Sequence, residues 1–376
     1  MPRLLTFALV LAVVELGSLA FFRSAARDRF SFADPASYVL DPSRIEGLAS
    51  HFDAALGWTN RYPTPLEERP QPHRHGRVAM ATFGDSYTHC DEVGDAETWQ
   101  VYLGDAIRAD VLNFGVGAYG PDQALLRYRQ KASQVKAPVV ALGLVLENIN
   151  RIVSRYRPFY YRDTGVPLTK PRFVLLDGAL VLLPNPIGRR EDLAQLADPA
   201  FVHAIGAQDF WYSRGGLPRL GFPYTRLLLS PALWRQALEG GRARRSEIGE
   251  RPARNLWKDV EARALFLAIV DAFAAEVSRA GAWPLIVILP GKANVELRRE
   301  QRAIPGYEPL KAHCRERGHQ CLDGIDALAA AADPVDALFR PGGHLSPRAN
   351  LTLAGALERH LAAARAPLDA TPAERR

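Results

Sequence analysis

The sequence predicts an α/β fold built on a parallel sheet, and three observations support this prediction. Short apolar runs alternate with segments of helical spacing between residues 78 and 146. The last of these runs, Pro138–Leu146, is almost continuously apolar, as expected for a strand covered on both faces of its sheet. Helical segments separate the runs, as right-handed crossover connections between parallel strands require. A doubly wound parallel sheet is therefore the predicted core.

Composition limits the class of protein. The chain has 376 residues, 48% of them hydrophobic and 23% charged, which suits one large domain with insertions or two smaller domains. Its net charge of +6 comes from scattered arginines and forms no basic stripe with interleaved aromatics, so we expect no nucleic-acid partner. The sequence holds neither a phosphate-binding glycine loop nor clustered cysteine ligands, so we predict no nucleotide or metal cofactor.

The amino end carries an apolar segment, Leu4–Phe22, which is interrupted by Glu15. Its length suits a single membrane span or a signal peptide, and small residues lie at cleavage spacing in Ser18–Ala20 and Ser24–Ala26. Three arginines follow the segment and one precedes it, which favours keeping the downstream domain in the cytoplasm. We nevertheless predict that residues 1–26 are a membrane anchor or signal peptide and that the domain lies on the periplasmic side. The alternatives are secretion after cleavage and a tethered cytoplasmic domain.

Residues 27–76 contain six prolines and no sustained periodicity, which predicts a linker or surface wrap. His73 and His75 suggest a metal site, but no other ligand cluster is near them in the sequence, so a solvated loop is our prediction. Cys314 and Cys321 could close a small disulfide loop in an oxidising compartment or remain free thiols.

The main domain is predicted over residues 77–365. Its first strand is Val78–Phe83, and a helix with apolar residues at helical spacing follows over Glu97–Arg108. The second strand is Val111–Phe114. Pro121 then opens a helix at its first turn, and this helix is predicted to end near Lys136.

The alternation of strand and helix stops after residue 150. We interpret residues 151–254 as a mixed insertion over one end of the sheet, with a β-hairpin that turns at Asp177–Gly178. Residues 366–376 are predicted to form a disordered tail. The predicted elements between the insertion and the tail are a helix at 260–280, a strand at 283–289, a helix at 307–317, a strand at 320–323 and a closing helix at 347–364.

A serine follows the first strand in a setting that suits a nucleophile. The run Val78–Phe83 stops at Gly84-Asp85-Ser86, and a strand that ends in a tight glycine turn presents a hydroxyl at the sheet edge. A serine hydroxyl needs a base to take its proton, and the tetrahedral product needs hydrogen-bond donors for its oxyanion. His344, in a glycine-rich loop before the closing helix, is the candidate base.

Candidate oxyanion donors follow each of the three strands. They are the Ser86 amide, a backbone amide in Gly115–Ala118 after the second strand, and the Asn148 side chain after the third. Carboxyl ends of parallel strands meet at one edge of a sheet, where such sheets bind ligands. We therefore expect the serine, the histidine and these donors to share one crevice.

With these residues in order, the chain resembles the SGNH (GDSL-type) hydrolases. The resemblance is carried by Gly84–Thr88, the glycine-rich turn after Asn113, Asn148, and His344 in His-Leu-Ser-Pro. It implies a three-layer flavodoxin-like fold with Ser86 as nucleophile and His344 as base. Asn148 and a backbone amide at Gly117 or Ala118 would complete the oxyanion hole.

The chain departs from this family pattern at two positions. Pro341 stands where the family has an aspartate three residues before the histidine, and Leu146 stands where it has a glycine. Asp336 lies on the same loop as His344 and is our candidate for orienting the imidazole. Otherwise a backbone carbonyl would orient the ring and leave a Ser–His dyad.

Several residues near these motifs have expected supporting roles. Asp85 is expected to hold the turn through backbone hydrogen bonds, and His89 and Cys90 to have lining or structural roles. Arg151 and Tyr156 belong to a basic, aromatic patch that would bind an anionic or sugar-like substrate. The alternative is that this patch anchors the insertion.

The predicted function is that of a membrane-anchored serine esterase or deacylase. Its substrate would be a small acyl ester or an acylated glycan, cleaved through an acyl-Ser86 intermediate. An O-acyltransferase of the same fold is the first alternative, because it would share the first half-reaction. A non-catalytic carbohydrate-binding or scaffold protein is the second.

Overall fold

A computed structural model of the chain describes residues 2–24, 32, 34–162, 164–214, 218–231, 233–234 and 255–370. The chain divides into two compact units. The sheet unit comprises His51–Val153, Lys170–Asn185 and Asn255–Arg376, and the insertion unit comprises Met1–Ser50, Ser154–Thr169 and Pro186–Arg254.

The sheet unit is built on five parallel strands. Their order across the sheet is β4-β3-β5-β8-β9, which corresponds to 2-1-3-4-5 when only these strands are counted along the chain. That order is the flavodoxin-like form of the doubly wound fold, so the predicted fold class is confirmed. The strands are β1 (Phe52–Asp53), β2 (Gly57–Trp58), β3 (Val78–Gly84), β4 (Asp110–Asn113), β5 (Val139–Leu144), β6 (Arg172–Leu176), β7 (Ala179–Leu183), β8 (Trp283–Ile288) and β9 (Cys321–Asp323).

Helices connect the strands, and most of those between parallel strands are longer than two turns. The α-helices are α1 (Pro2–Arg23), α2 (Pro42–Leu48), α3 (Ser86–His89), α4 (Trp99–Ile107), α5 (Pro121–Lys131), α6 (Ile149–Ile152), α7 (Arg157–Tyr160), α8 (Pro199–Gly206), α9 (Phe210–Ser213), α10 (Thr225–Leu228), α11 (Val260–Arg279), α12 (Lys292–Arg299), α13 (Tyr307–Arg317), α14 (Gly324–Ala329) and α15 (Pro347–Ala363). Short 3-10 turns lie at Pro35–Tyr38, Asp95–Glu97, Leu146–Asn148, Arg190–Ala197, Leu256–Lys258 and Val335–Leu338.

Helices cover both faces of the sheet, which gives three layers. Side chains alternate along each strand, so neighbouring residues of β3 enter different cores. Met80 belongs to a buried cluster with side chains of α4 and α15. Phe83 points to the opposite face, where its ring packs against Phe114 and against Phe273 of α11. Burial on both faces explains why these strands read as continuous apolar runs.

The bounds of the main elements agree closely with the predicted ones. Helix α13 has the predicted ends, and the other predicted strands and helices differ by one or two residues at most of their ends. Helix α5 is the exception, because it ends at Lys131 and not near Lys136. The predicted hairpin is confirmed as β6 and β7, whose two-residue turn has positive φ at Asp177 and Gly178.

The second half of the predicted surface wrap covers an edge of the sheet. The backbone N–H of Arg69 donates to the carbonyl of Asn113 in the edge strand β4, at 2.8 Å. The side-chain amide of Gln71 donates to the carbonyl of Val111 in the same strand. Covering an edge strand in this way prevents its unpaired backbone groups from pairing with another chain.

The insertion unit contains the apolar amino-terminal helix. Helix α1 is long and apolar enough to cross a membrane, and a helix of this kind near the amino end can be a membrane anchor or a signal sequence. Glu15, in the second half of this helix, is not left without partners. Its carboxylate accepts hydrogen bonds from the hydroxyl and the backbone N–H of Thr225, at the start of α10.

Other predicted regions are described only in part. The β6–β7 hairpin belongs to the sheet unit, so the predicted insertion does not form one body. Residues 235–254 of that insertion and residues 371–376 of the predicted tail lie outside the described residues. The start of the tail makes contacts, since the Arg77 guanidinium donates to the Leu368 carbonyl at 2.7 Å. Cys314 and Cys321 form a disulfide.

Candidate active site

Ser86 lies in a tight turn at the carboxyl end of β3. The strand ends at Gly84, and Ser86 is the first residue of the short helix α3. A Cβ atom on Gly84 would lie 2.1 Å from the Thr88 hydroxyl and 2.4 Å from the Gly143 carbonyl oxygen. Only glycine therefore allows α3 to fold back this closely onto β3 and β5, and the turn fixes where the Ser86 hydroxyl is presented.

Asp85 holds this turn, as expected. One carboxylate oxygen accepts the backbone N–H of Tyr87 at 2.9 Å and so caps α3. The other accepts the side-chain amide of Asn148 at 2.9 Å and faces the Arg151 guanidinium at 3.5 Å. Burial raises the pKa of Asp85, whereas the Arg151 charge and the two hydrogen bonds oppose that rise. Asp85 thus ties the nucleophile turn to the loop after β5.

Besides the Ser86 amide, the predicted oxyanion donors lie in the loop after β4 and the loop after β5. Both loops contact the segment 85–92. Asn148 is buried and uses one N–H of its amide on Asp85, so one donor of the same amide is left over. A Cβ on Gly117 would lie 3.2 Å from a carboxylate oxygen of Asp91. Ala118 follows with a positive φ of 70°. The roles of Ser86, Gly117, Ala118 and Asn148 as oxyanion donors stay predictions.

His344 is held by a carboxylate that the sequence analysis did not single out. The Nδ1 atom of His344 lies 2.8 Å from a carboxylate oxygen of Glu92. The same carboxylate accepts the backbone N–H of His344 at 3.1 Å and that of Gly342 at 2.9 Å. Three contacts from one side chain fix both the imidazole and the loop that carries it. The far nitrogen, Nε2, is then the one left to act on a substrate or nucleophile.

This arrangement corrects the prediction for Asp336. The Asp336 side chain is 88% exposed and pairs with the Lys292 ammonium at 2.7 Å. It lies in the 3-10 turn Val335–Leu338, several residues before the loop that carries His344, and its carboxylate is on Lys292 and not on the imidazole. Closeness in sequence to His344 therefore did not identify the partner, which comes from the loop just after the nucleophile.

Glu92 has an unusual backbone and an ionised carboxylate. Its φ is 70°, a conformation that costs a residue with a Cβ about 1–2 kcal/mol and that persists only when the surroundings enforce it. Burial raises the pKa of Glu92, but the hydrogen bonds from His344 and Gly342 outweigh this effect and hold the pKa below its usual value. A Cβ on Gly342 would lie 2.3 Å from the Glu92 carboxylate, so a larger residue there would displace this carboxylate from the loop.

Arg69 from the surface wrap enforces the shape of the loop that carries Glu92. This arginine is 7% exposed, and its guanidinium donates to the backbone carbonyls of Cys90 at 2.8 Å and Val93 at 2.7 Å. It also forms an ion pair with Asp95 at 2.8 Å. A single buried guanidinium thus binds the loop on both sides of Glu92, which is how the fold maintains the positive φ of that residue.

His89 and Cys90 have structural surroundings, as expected. The His89 ring contacts the Tyr62 hydroxyl at 2.6 Å through Nε2 and the Asp91 carboxylate through Nδ1. Both ring nitrogens are therefore engaged. Burial raises the pKa of the Cys90 thiol to about 12, so the thiol stays protonated and is a poor nucleophile.

The loop that carries His344, called the histidine loop below, lies directly beside the turn that carries Ser86. The Tyr87 hydroxyl donates to the carbonyl of Gly343 at 2.9 Å, and the ring centroids of Tyr87 and His344 are 5.1 Å apart. Tyr87, directly after Ser86, is thus in contact with Gly343, directly before His344. Among the described residues, no hydrogen bond joins the Ser86 hydroxyl to the imidazole. Such bonds are often long without substrate and tighten when it binds.

Arg151 and Tyr156, the residues predicted to bind substrate, are buried and have partners within the chain. The Arg151 side chain is buried, and its guanidinium binds the Tyr119 carbonyl at 2.9 Å and the Glu147 carboxylate at 2.8 Å besides facing Asp85. Tyr156 is in the core of the insertion unit, where its hydroxyl donates to the Tyr38 carbonyl at 2.9 Å. These contacts lie within the sheet unit for Arg151 and within the insertion unit for Tyr156.

Comparison with known proteins shows weak likenesses. No model of a protein family matches the chain, and no curated protein matches it. Three similar solved structures are a protein of the lipolytic G-D-S-L family from Veillonella parvula, one described with the same family from Desulfitobacterium hafniense, and LAE5, an alpha/beta hydrolase enzyme from the metagenome of Lake Arreo.

These likenesses are limited in sequence and in shape. The three structures are 12%, 11% and 10% identical to this chain, with TM-scores of 0.34, 0.36 and 0.37. The matches cover 75%, 76% and 79% of this chain and 97%, 100% and 100% of the respective structures.

Proposed function

We propose that the chain is a serine esterase or deacylase of the SGNH type, with Ser86, His344 and Glu92 as its catalytic triad. The observation that carries this proposal is the contact of Glu92 with Nδ1 of His344. A carboxylate on Nδ1 selects the tautomer whose Nε2 can take a proton and stabilises the imidazolium that results. Ser86 supplies the hydroxyl at the end of β3, beside the histidine loop.

The reaction has two half-reactions. In the first, the Ser86 oxygen attacks the carbonyl carbon of an O-acyl ester while His344 takes the hydroxyl proton. His344 then gives that proton to the leaving alcohol, and an acyl-serine remains. In the second, water attacks the acyl carbon, its proton passes to His344, and the carboxylic acid leaves as the serine hydroxyl is restored. The Ser86 amide, Asn148 and an amide at Gly117 or Ala118 would bind the oxyanion in both halves.

The proposed location is the periplasmic side of a membrane, with secretion after cleavage as the alternative. The apolar helix α1 supports a membrane anchor or an export signal. The Cys314–Cys321 disulfide supports an oxidising compartment, because disulfides are rare in the cytosol. The proposed substrate is a small acyl ester or an acylated glycan.

An aryl acetate tests the proposal. The purified full-length protein in detergent should release the aryl alcohol, and Ser86→Ala should reduce the rate to the uncatalysed background while leaving the melting temperature unchanged. Addition of an oligosaccharide tests acyl transfer in the same assay. Acetyl appearing on sugar faster than as free acetate would establish the acyltransferase alternative. A folded native protein without turnover would favour the non-catalytic alternative and contradict the proposal.

A further inference from the structure

A group of two histidines and one aspartate lies on the sheet unit apart from the catalytic loops. The Nε2 atoms of His313 and His319 lie 2.8 Å and 2.6 Å from the same carboxylate oxygen of Asp271. The three candidate ligand atoms all lie within 4.8 Å of one another. We propose that Asp271, His313 and His319 form a binding site for a divalent transition-metal ion of the zinc type.

The local fold brings the two histidines together. His313 is in the second half of α13, which ends at Arg317 and is followed by Gly318 with a φ of 70°. That left-handed glycine reverses the chain, and the backbone N–H of His319 donates to the carbonyl of Cys314 at 2.9 Å. The two imidazole centroids are therefore 6.0 Å apart although five residues separate them in sequence.

A disulfide closes the same segment. Cys314 follows His313 directly, and Cys321, two residues after His319, begins β9. The bond between them encloses the helix end and restrains the loop that presents His319. Restraint of this kind reduces the conformational entropy that a metal site loses on binding, and so favours affinity.

The donors suit zinc in number and in type. Zinc binds imidazole nitrogen and carboxylate oxygen, and three protein ligands leave a fourth position for water or another ligand. Arg317 supports the arrangement, because its guanidinium donates to the second carboxylate oxygen of Asp271 at 2.8 Å and leaves the first oxygen for the metal.

A second group of the same composition provides a comparison within the chain. His73 and His75 both contact a carboxylate oxygen of Asp105, at 2.6 and 3.0 Å. The side chains of His73, His75 and Asp105 are 50%, 26% and 47% exposed. Those of His313, His319 and Asp271 are only 15%, 16% and 21% exposed. No disulfide restrains this second group, so it should bind metal more weakly and serves as the matched control.

Metal binding to the oxidised full-length protein in detergent tests the proposal. After treatment with a chelator, equilibrium dialysis against Zn²⁺ should give one high-affinity ion per chain, and Co²⁺ should give visible absorption bands typical of nitrogen and oxygen ligands. Asp271→Asn and His313→Gln should each weaken this binding at least tenfold, whereas the double variant His73→Gln/His75→Gln should retain it. Saturating Zn²⁺ should also raise the melting temperature of the native protein and of the double variant.

Three results would overturn the proposal. They are the absence of stoichiometric binding to the folded native protein, binding that is lost only in the His73/His75 double variant, and binding unchanged by both Asp271→Asn and His313→Gln. Near-UV circular dichroism of each variant identifies loss of folding. If Asp271→Asn does not fold, His313→Gln decides the outcome, because an imidazole replaced by an amide of similar reach preserves the helix.

Discussion

Glu92 is the residue on which the catalytic proposal depends at the residue scale. It combines a positive φ, a carboxylate that makes three contacts with the histidine loop, and a position six residues after the nucleophile. Its neighbours Cys90 and Val93 are held by the buried guanidinium of Arg69. The proposed acid and the proposed nucleophile therefore lie in one segment, and the proposed base comes from a distant part of the chain.

Replacing Glu92 by glutamine should reduce catalysis strongly. The amide has the same shape as the carboxylate but carries no charge, so it neither holds the required tautomer of His344 nor stabilises the imidazolium. The loss of such a carboxylate costs about 10²–10⁴-fold in rate. The measurement is kcat for aryl acetate hydrolysis by Glu92→Gln. Asp336→Asn is the matched control and should have native kcat. Native kcat in Glu92→Gln, or a large loss in Asp336→Asn, would return the orienting role to Asp336.

The contribution of Glu92 to stability should depend on pH in a defined direction. Its pKa in the folded protein lies below the ordinary value of 4.5. The stabilising contacts are therefore fully present above about pH 4.5 and are lost as the pH falls through the lower, folded pKa. We expect the native protein to have a higher melting temperature than Glu92→Gln near neutral pH. At strongly acidic pH the difference in melting temperature should vanish. A difference that grows on acidification would contradict this assignment.

At the scale of elements, the β3–α3 turn depends on close packing between glycines and a threonine. Thr88 packs against Gly84 of β3 and against Gly143 of β5, which are aligned with each other in the parallel ladder. A Cβ at either glycine would lie about 2 Å from the Thr88 hydroxyl oxygen. This packing positions Ser86 at the sheet edge.

Gly84→Ala should therefore destabilise the protein by about 3 kcal/mol or more, since the clash includes a backbone carbonyl that cannot move away cheaply. Gly47→Ala is the control, because Gly47 is inside helix α2 with open space around it and alanine there should be neutral or stabilising. Urea unfolding of the two variants measures both effects. Equal stability of Gly84→Ala and the native protein would contradict the description of the turn.

At the scale of the whole molecule, the proposed location depends on helix α1. The helix passes the length and composition test for a membrane span, and Glu15 within it is bound by Thr225. Pairing reduces the cost of a carboxylate in an apolar segment, which explains how one acidic residue is tolerated there. The proposed catalytic residues all belong to the sheet unit, which α1 would hold at the membrane.

Protease accessibility in cells tests the proposed side of the membrane. If the domain is periplasmic, a protease should degrade it once the outer membrane is permeabilised and while the inner membrane stays closed. A cytoplasmic marker protein should remain intact in the same sample. Degradation of the domain only after the inner membrane is opened would establish the tethered cytoplasmic alternative.

Local patterns in the sequence were sufficient to predict most of the fold. Apolar runs, Pro121 and the Asp177–Gly178 turn encode their elements within a few residues, so strands, helices and the hairpin followed directly. The partner of His344 was not predictable in this way. Glu92 lies 252 positions from His344, and its position depends on Arg69 and on a positive φ that no local pattern signals.

Contacts between residues far apart in the sequence also decide the surroundings of other residues. Arg151 and Tyr156 have the composition of a sugar-binding patch, but burial and carbonyl partners decide their roles, and these are properties of the folded chain. Asp105 is likewise 30 positions from His75, so no local pattern groups it with the His73–His75 pair.

Labelling with a fluorophosphonate tests the central claim most directly, through the identity of the labelled residue and the rate of labelling. Peptide mapping of the treated native protein should show a single adduct on Ser86, and labelling should be absent in Ser86→Ala and strongly slowed in His344→Gln and Glu92→Gln. A folded native protein that takes up no label, or that is labelled at another residue at the same rate in all variants, would contradict the proposed triad.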